Sequence, residues 1–384
     1  MRARASLIAV AVGVKILCTA NDAGAIPRFA VRVGATCSTC HVNPSGGGMR
    51  NAFGRNVFAT TRLPVRSATA ATGDDDGSSL IDVDVTESLA FGADLRSTYV
   101  YNRLRAPLTN LSTFILMQGD LYAAAATAGD RLTFYLDLGI YGSGEAMVIA
   151  RGPGGLYAKV GRFMPSYGLR LENHRVFVRE GIGFGPREKE VGLEIGLQAG
   201  GFHLQASVLN GATDGDTPLF DDNWQKAITG RAEYIRAGRF LNVMAGASGF
   251  YNIKGASRRA GDEREGDIRA GGFVGASLGR LTYLAEADVT LQRKFTEFKW
   301  LRTYSSYQEL DVLVARGVEL NFNWEYNDPD LRYSQNALHR VMGGFEVFPV
   351  PHLELKAFYR RVIGRSTEPL SGSHEVFAMV HFYL

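Results

Sequence analysis

From about Ser88 to the C-terminus, apolar and polar residues alternate with a period of two. Phe91, Ala93, Leu95, Tyr99 and Tyr101 alternate with Asp94, Arg96 and Thr98. Leu132, Phe134, Leu136, Leu138 and Ile140 alternate with Thr133, Tyr135, Asp137 and Gly139. The same rhythm runs from Val191 to Leu197 and from Val318 to Tyr326. Each run predicts a strand with one apolar and one polar face. A soluble all-β protein would share this alternation. Three features favour a membrane barrel instead. Charged residues recur mid-strand on the polar face, as in a wet lumen. No stretch reads as a transmembrane helix. Two sets of connections, one tight and one mostly longer, alternate along the chain.

The tight set falls near 128–130, 152–154, 199–200, 237–238, 278–279, 316–317 and 348–350. The other set lies at 104–110, 142–146, 165–188, 212–223, 254–266, 294–304, 327–333 and 364–373. Counting hairpins predicts an all-β transmembrane antiparallel β-barrel of about 16 strands, an even number as in bacterial barrels. Its last strand, from Glu375 to Leu384, is aromatic (Phe377, Phe382, Tyr383), as expected where an outer-membrane barrel ends.

The 87 residues before this pattern divide into three parts. Residues 1–25 predict a signal peptide. Arg2 and Arg4 form a charged start, an apolar run follows, and Ala23-Gly24-Ala25 is a small-residue cleavage site. Residues 63–87 are polar and rich in small residues and predict a linker, leaving 88–384 for the barrel. Between them, residues 26–62 carry Cys37-Ser38-Thr39-Cys40-His41, Pro44, a glycine run at Gly46-Gly47-Gly48 that reads as flexible, and a helical turn expected around Met49 to Phe58.

The chain has three cysteines, and Cys18 belongs to the signal peptide. Cys37 and Cys40 could form a redox dithiol or half of a zinc site. A zinc site needs a second ligand pair, and the chain has no further cysteine for it. A thioredoxin-like dithiol needs a βαβ setting that this sequence does not show. The histidine directly after the second cysteine is what c-type haem attachment requires. Cys37 and Cys40 then form thioethers to one covalent haem c, and His41 is the proximal iron ligand.

The whole chain is formally +3, which changes little. Its distribution says more. Residues 26–66 hold Arg28, Arg32, Arg50, Arg55, Arg62 and Arg66 and no Asp or Glu. The polar faces of the barrel offer Asp94, Asp137, Glu194, Glu286, Asp288, Glu319, Glu325 and Glu354. A segment this short seldom folds alone. Size and charge together predict that it plugs the lumen.

The run Ala25-Ile26-Pro27-Arg28-Phe29-Ala30, then Gly34, then Cys37-x-x-Cys40-His41, and later Asn51-Ala52-Phe53-Gly54, resembles the fused outer-membrane monohaem cytochrome–porin family, which includes iron-oxidising outer-membrane cytochromes. Val31-Arg32-Val33 and the triple glycine depart from its common pattern. The resemblance implies an electron-transfer oxidoreductase in the outer membrane. Extracellular Fe(II) would be the donor and a periplasmic c-type cytochrome the acceptor.

A low-spin carrier needs a sixth ligand. Met49 is the nearest candidate in sequence, with His174 and His203 as rivals. Two other functions stay open: an outward conduit to an external acceptor, and a diffusion porin whose haem-bearing segment is a gate. The acidic loop residues Asp214, Asp216, Asp221, Asp222, Asp262, Glu263, Glu265, Asp328 and Asp330 could gather Fe(II), although no ligand spacing marks a metal site. The partners expected are therefore an external electron donor, a periplasmic cytochrome and outer-membrane lipid, with no nucleic-acid module.

Overall fold

The computed structural model describes residues 27–67, 84–86, 88–103, 110–140, 144–173, 175–180, 189–211, 225–254, 265–294, 300–333, 335–365 and 371–384. The expected signal peptide, most of the linker, His174 and the acidic positions 214–222 and 262–263 lie outside them.

A three-residue strand β1 (Asp84–Thr86) leads into β2 (Leu89–Arg103), β3 (Leu111–Ala126), β4 (Leu132–Gly139), β5 (Ala146–Arg151) and β6 (Leu156–Phe163). After a long inward loop come β7 (Glu190–Ala199), β8 (Phe202–Leu209), β9 (Ala227–Arg236), β10 (Leu241–Lys254), β11 (Glu265–Leu278) and β12 (Leu281–Lys294). The set ends with β13 (Leu301–Ala315), β14 (Val318–Asp328), β15 (Leu338–Val347), β16 (Leu353–Gly364) and β17 (His374–Tyr383). Every neighbour pairs antiparallel, and β17 pairs with β2 from Tyr383↔Asp94 to His374↔Arg103. Strands β2–β17 therefore close a 16-stranded barrel, as the period-two pattern predicts. The seven tight connections form one rim (the turn rim), and the longer ones form the other (the loop rim).

The polarity of the wall is the reverse of a soluble sandwich. On β4, Leu132, Phe134, Leu136 and Leu138 point outward and exposed, whereas Thr133, Tyr135 and Asp137 point inward and buried. An apolar outer face suits lipid, and closure leaves no unpaired strand edge. All eight carboxylates expected on the lumen side are buried.

Among the described residues, two pieces of chain fill the lumen. The first is residues 27–67, which form a plug. Helix α1 (Pro27–Val33) places Arg28 and Arg32 four residues apart, on one face. Arg28 reaches Glu346 at 2.6 Å, Glu319 at 3.5 Å and Glu309 at 3.7 Å. Arg32 pairs with Glu319 at 2.5 Å, and Arg50 pairs with Asp94 at 3.1 Å. Near the turn rim, the amides of Val65 and Arg66 donate to the carbonyls of Phe348 and Pro349. The first residues of the expected linker are thus fastened to a turn.

The second piece is the loop between β6 and β7. It carries the single helical turn α2 (Phe177–Glu180) and crosses the lumen. Tyr167 bonds Asp288, the Leu169 amide bonds Glu286, Arg179 pairs with Glu286 at 2.6 Å and Arg175 reaches Glu375 at 3.2 Å.

Two local expectations are corrected. The helix expected over Met49 to Phe58 begins later, as a π-helical stretch at Phe53–Arg62 in which the Leu63 amide bonds the Phe58 carbonyl. Met49 lies instead in a bend, and Arg50 makes an isolated antiparallel bridge to His41. The glycine run is a fixed turn and not a flexible spacer. Gly46, Gly47 and Gly48 all have φ between +64° and +83°, and a Cβ on Gly48 would lie 2.2 Å from the Tyr135 hydroxyl.

Candidate functional site

Cys37 to Thr39 form one 3₁₀ turn. The Cys37 carbonyl accepts from the amides of Cys40 at 3.2 Å and His41 at 3.1 Å. Cys37 opens this turn, with its Sγ against Gly46, and Cys40 caps it. Asn51 clasps this turn from outside. Its Nδ2 donates to the carbonyls of Ser38 and Thr39, each at 3.0 Å, while its Oδ1 accepts from the Gly54 amide at 2.9 Å. Gly54 is the contact point. A Cβ there would sit 2.2 Å from the Cys40 carbonyl oxygen, so only glycine lets the π-helical stretch approach this closely. The Asn51-Ala52-Phe53-Gly54 motif is therefore the brace of the Cys-x-x-Cys-His turn.

His41 is oriented by the same hairpin. Its Nδ1–H donates to the Gly48 carbonyl at 3.2 Å, which leaves the Nε2 lone pair for a metal. Burial, with the positive charges of Arg50 and Arg170 beside it, pushes the His41 pKa down to about 4, so the ring is a neutral imidazole at pH 7. Burial and Glu233 push the Cys37 thiol up to about 11.

Cys40 and His41 line a cavity of about 260 Å³ between the plug and the inward loop. Its apolar lining includes Phe29, Phe58, Leu63, Met164, Leu171 and Phe348. His41 also lines a larger cavity at the turn rim, together with Met49 and Arg50. The residues present fit a c-type haem on the chemistry of the donor set: two thiols three residues apart across one turn and a neutral imidazole held through its far nitrogen, beside a cavity lined by apolar and charged side chains together.

The other predicted site residues are dispersed. Met49 is buried against Tyr122, Tyr135 and Phe163, and its amide donates to the Tyr135 hydroxyl at 3.0 Å. His203 faces the lumen from β8, with its Nε2 shared between the Tyr157 hydroxyl and the Gln198 amide. It lines neither cavity that touches His41. Asp330 pairs with Arg332 next to it in the chain.

Sequence reasoning missed Met164. It follows β6 directly, its amide held by Glu145 at 2.8 Å, and it lines the same cavity as Cys40 and His41. A methionine more than 100 residues away carries no local signal; only the inward course of the loop brings it near. Reasoning also missed the cluster of Glu172, Glu354 and His381, whose donor atoms lie within 4.8 Å of one another. Lys356 already bonds both carboxylates, at 2.8 Å from Glu354, and His381 bonds Asp94 and Glu354 through its two nitrogens.

No family model matches this chain, and no curated protein matches it. Solved structures do. OmpT of Vibrio cholerae aligns at a TM-score of 0.57 with 10% identity, over 79% of this chain and 100% of its own. An anion-selective porin from Comamonas acidovorans aligns at 0.56 with 11% identity, over 77% and 99%. OprB of Pseudomonas putida aligns at 0.54 with 10% identity, over 77% and 94%. At these identities the likeness is one of fold. This chain shares the antiparallel barrel fold of these outer-membrane proteins, and about a fifth of it falls outside each alignment.

Proposed function

We propose that this outer-membrane barrel holds one haem c on its lumenal plug and passes single electrons across the membrane. The observation that carries this reading is the Cys37–His41 turn inside the barrel, with His41 Nδ1 committed to the Gly48 carbonyl. Bound there, the haem supplies a one-electron couple. Cys37 and Cys40 hold it covalently. His41 Nε2 ligates it, and Gly48 fixes the tautomer. The turn rim faces the periplasm, as short turns do in bacterial barrels. The site is therefore near a periplasmic acceptor cytochrome. One haem does not span a hydrocarbon layer of ~30 Å, so the lumen must bring the external donor inward. The resemblance of the N-terminal motif supports Fe(II) as that donor.

Haem staining after denaturing electrophoresis, with a mass measurement, tests attachment. The expected result is one haem mass on the wild-type chain and none on a Cys37→Ala/Cys40→Ala variant that still inserts as a barrel. Wild-type chain from a haem-maturing host that carries no haem would sink the proposal. Addition of Fe(II) to the oxidised protein should then give reduced c-type bands; no reduction, with a low potential, favours an outward conduit.

Three methionines line cavities that His41 also lines, Met49 the turn-rim cavity and Met117 and Met164 the inner one. Met164 shares its cavity with Cys40 as well. Met164→Leu is expected to abolish the methionine-to-iron charge-transfer band and to lower the potential. Met49→Leu should leave both in place, and the opposite pattern assigns Met49.

The second reading, a diffusion porin with a plug, is favoured by the likeness to porins. It predicts steady conductance and no dependence of function on Cys37, Cys40 or His41.

A further inference from the structure

Farther toward the loop rim the lumen wall changes character. Inward positions near the turn rim are polar: Asp94, Arg96, Glu354, Lys356 and His381. One step outward along β15, β16, β17 and β2, the inward positions are Met342, Phe358, Phe377, Met379 and Val100. These residues are contiguous. Phe358 is opposite Phe377 across β16–β17, and Phe377 is opposite Val100 across β17–β2. The two phenyl rings stack at 5.2 Å with planes 16° apart. Tyr307 faces them from β13. Together they line a cavity of about 360 Å³, within the size range of small-molecule sites (about 300–1,000 Å³). Elsewhere inward apolar side chains such as Met147, Ile149, Phe250, Met244 and Phe273 pack against the plug and the inward loop, whereas these line open space, and an apolar patch with a few convergent polar groups marks a ligand site.

The charge sits at one edge of this wall. Arg175, from the inward loop, makes two bonds of 3.2 Å to the Glu375 carboxylate. Arg360 bonds the same carboxylate at 2.5 Å. Two guanidinium groups converge on one carboxylate, which leaves a net positive charge beside the apolar surface. The Arg175 side chain is 45% exposed and lines the cavity, and its two bonds to Glu375 use two of its five N–H donors. A guanidinium with donors to spare selects carboxylates and similar planar anions.

We propose that this outer vestibule binds a small amphipathic anion, an aromatic carboxylate in size and chemistry. Its ring lies on Phe358, Phe377 and Met379, and its carboxylate meets Arg175 and Arg360. This site does not depend on haem attachment. It does communicate with the inner cavity, because Arg96, Met117, Leu171 and Glu172 line both.

The test is calorimetric titration of the full-length protein in lipid nanodiscs with naphthalene-2-carboxylate, naphthalene-2-methanol and 2-naphthylmethylamine. The expected result is saturable binding of one carboxylate per chain, about tenfold tighter than the alcohol, a factor that corresponds to about 1.4 kcal/mol. The amine should bind weakest. Arg175→Gln should erase the preference for the carboxylate while the alcohol still binds. Phe377→Asn should weaken both, and Met379→Leu should preserve both. Equal binding of the three probes, uptake that never saturates, or an Arg175→Gln variant with unchanged preference would overturn the proposal.

Discussion

Deletion of residues 26–66 is expected to raise the single-channel current in planar bilayers on the order of tenfold, because an unfilled barrel of this strand number leaves an aqueous channel. The plug and the inward loop now share the lumen. The plug lies across it near the turn rim, anchored by α1 on one side and by Val65 and Arg66 on another. Without it, the constriction is set by the loop from Met164 to Glu180 alone, which is tied to Asp288, Glu286 and Glu375 and should stay in place. The measurement compares full-length and shortened proteins at equal protein input, with barrel folding checked by heat-modifiable gel mobility. Equal currents would show that the plug does not obstruct the conduction path, and would remove the main structural argument against a diffusion porin.

The second large effect is at Arg28. Its guanidinium, 6% exposed, faces Glu346, Glu319 and Glu309. Replacing it with Met keeps much of the volume but leaves three buried carboxylates without their shared cation. Removing one partner of a buried ion pair costs about 3–5 kcal/mol. The strands are held by the whole ladder, so the loss should appear as undocking of the plug and not as unfolding of the barrel. Hydrogen exchange over residues 27–34 reads this directly. Arg28→Met should lose protection there while β14 and β15 retain theirs. Glu346→Gln removes one carboxylate of the three and should have a much smaller effect. If protection at α1 survives in Arg28→Met, the apolar contacts of Phe29 with Phe58 and Phe348 hold the helix, and the ion-pair clamp is secondary.

The barrel was legible because its rule is local. Alternation of Leu132, Phe134, Leu136 and Leu138 with Thr133, Tyr135 and Asp137 states which face is lipid and which is lumen, with no knowledge of partners. The seven tight turns were legible for the same reason. The plug was legible through charge: arginines without acids in one segment, acids facing inward in the other. Helix α1 was not. Pro27-Arg28-Phe29-Ala30-Val31-Arg32-Val33 is seven residues long and contains β-branched valines that favour strands, and its helical form depends on the carboxylates it meets. Of the candidate site, Cys37, Cys40 and His41 were legible as a motif. Asn51 and Gly54 were noted only as part of a resemblance, and the structure supplies their physical role as a brace. Met164 and the apolar vestibule lay beyond reach. The first depends on the path of a long loop, and the second on the cross-strand register that joins Val100 to residues more than 250 positions later.

The enclosure of the Cys37–His41 turn also sets an order of events in the making of the protein. The turn is walled by β-strands on several sides and braced by Asn51 within the plug. A maturation enzyme is far too large to work inside that space. Any group joined to Cys37 and Cys40 must therefore be joined while the segment is still outside, in the interval between export and docking. A chain that docks its plug before that reaction is sealed in the unreacted form. Under the proposed haem attachment, production of the loaded protein is a race between attachment and barrel closure, and slowing insertion should raise its yield.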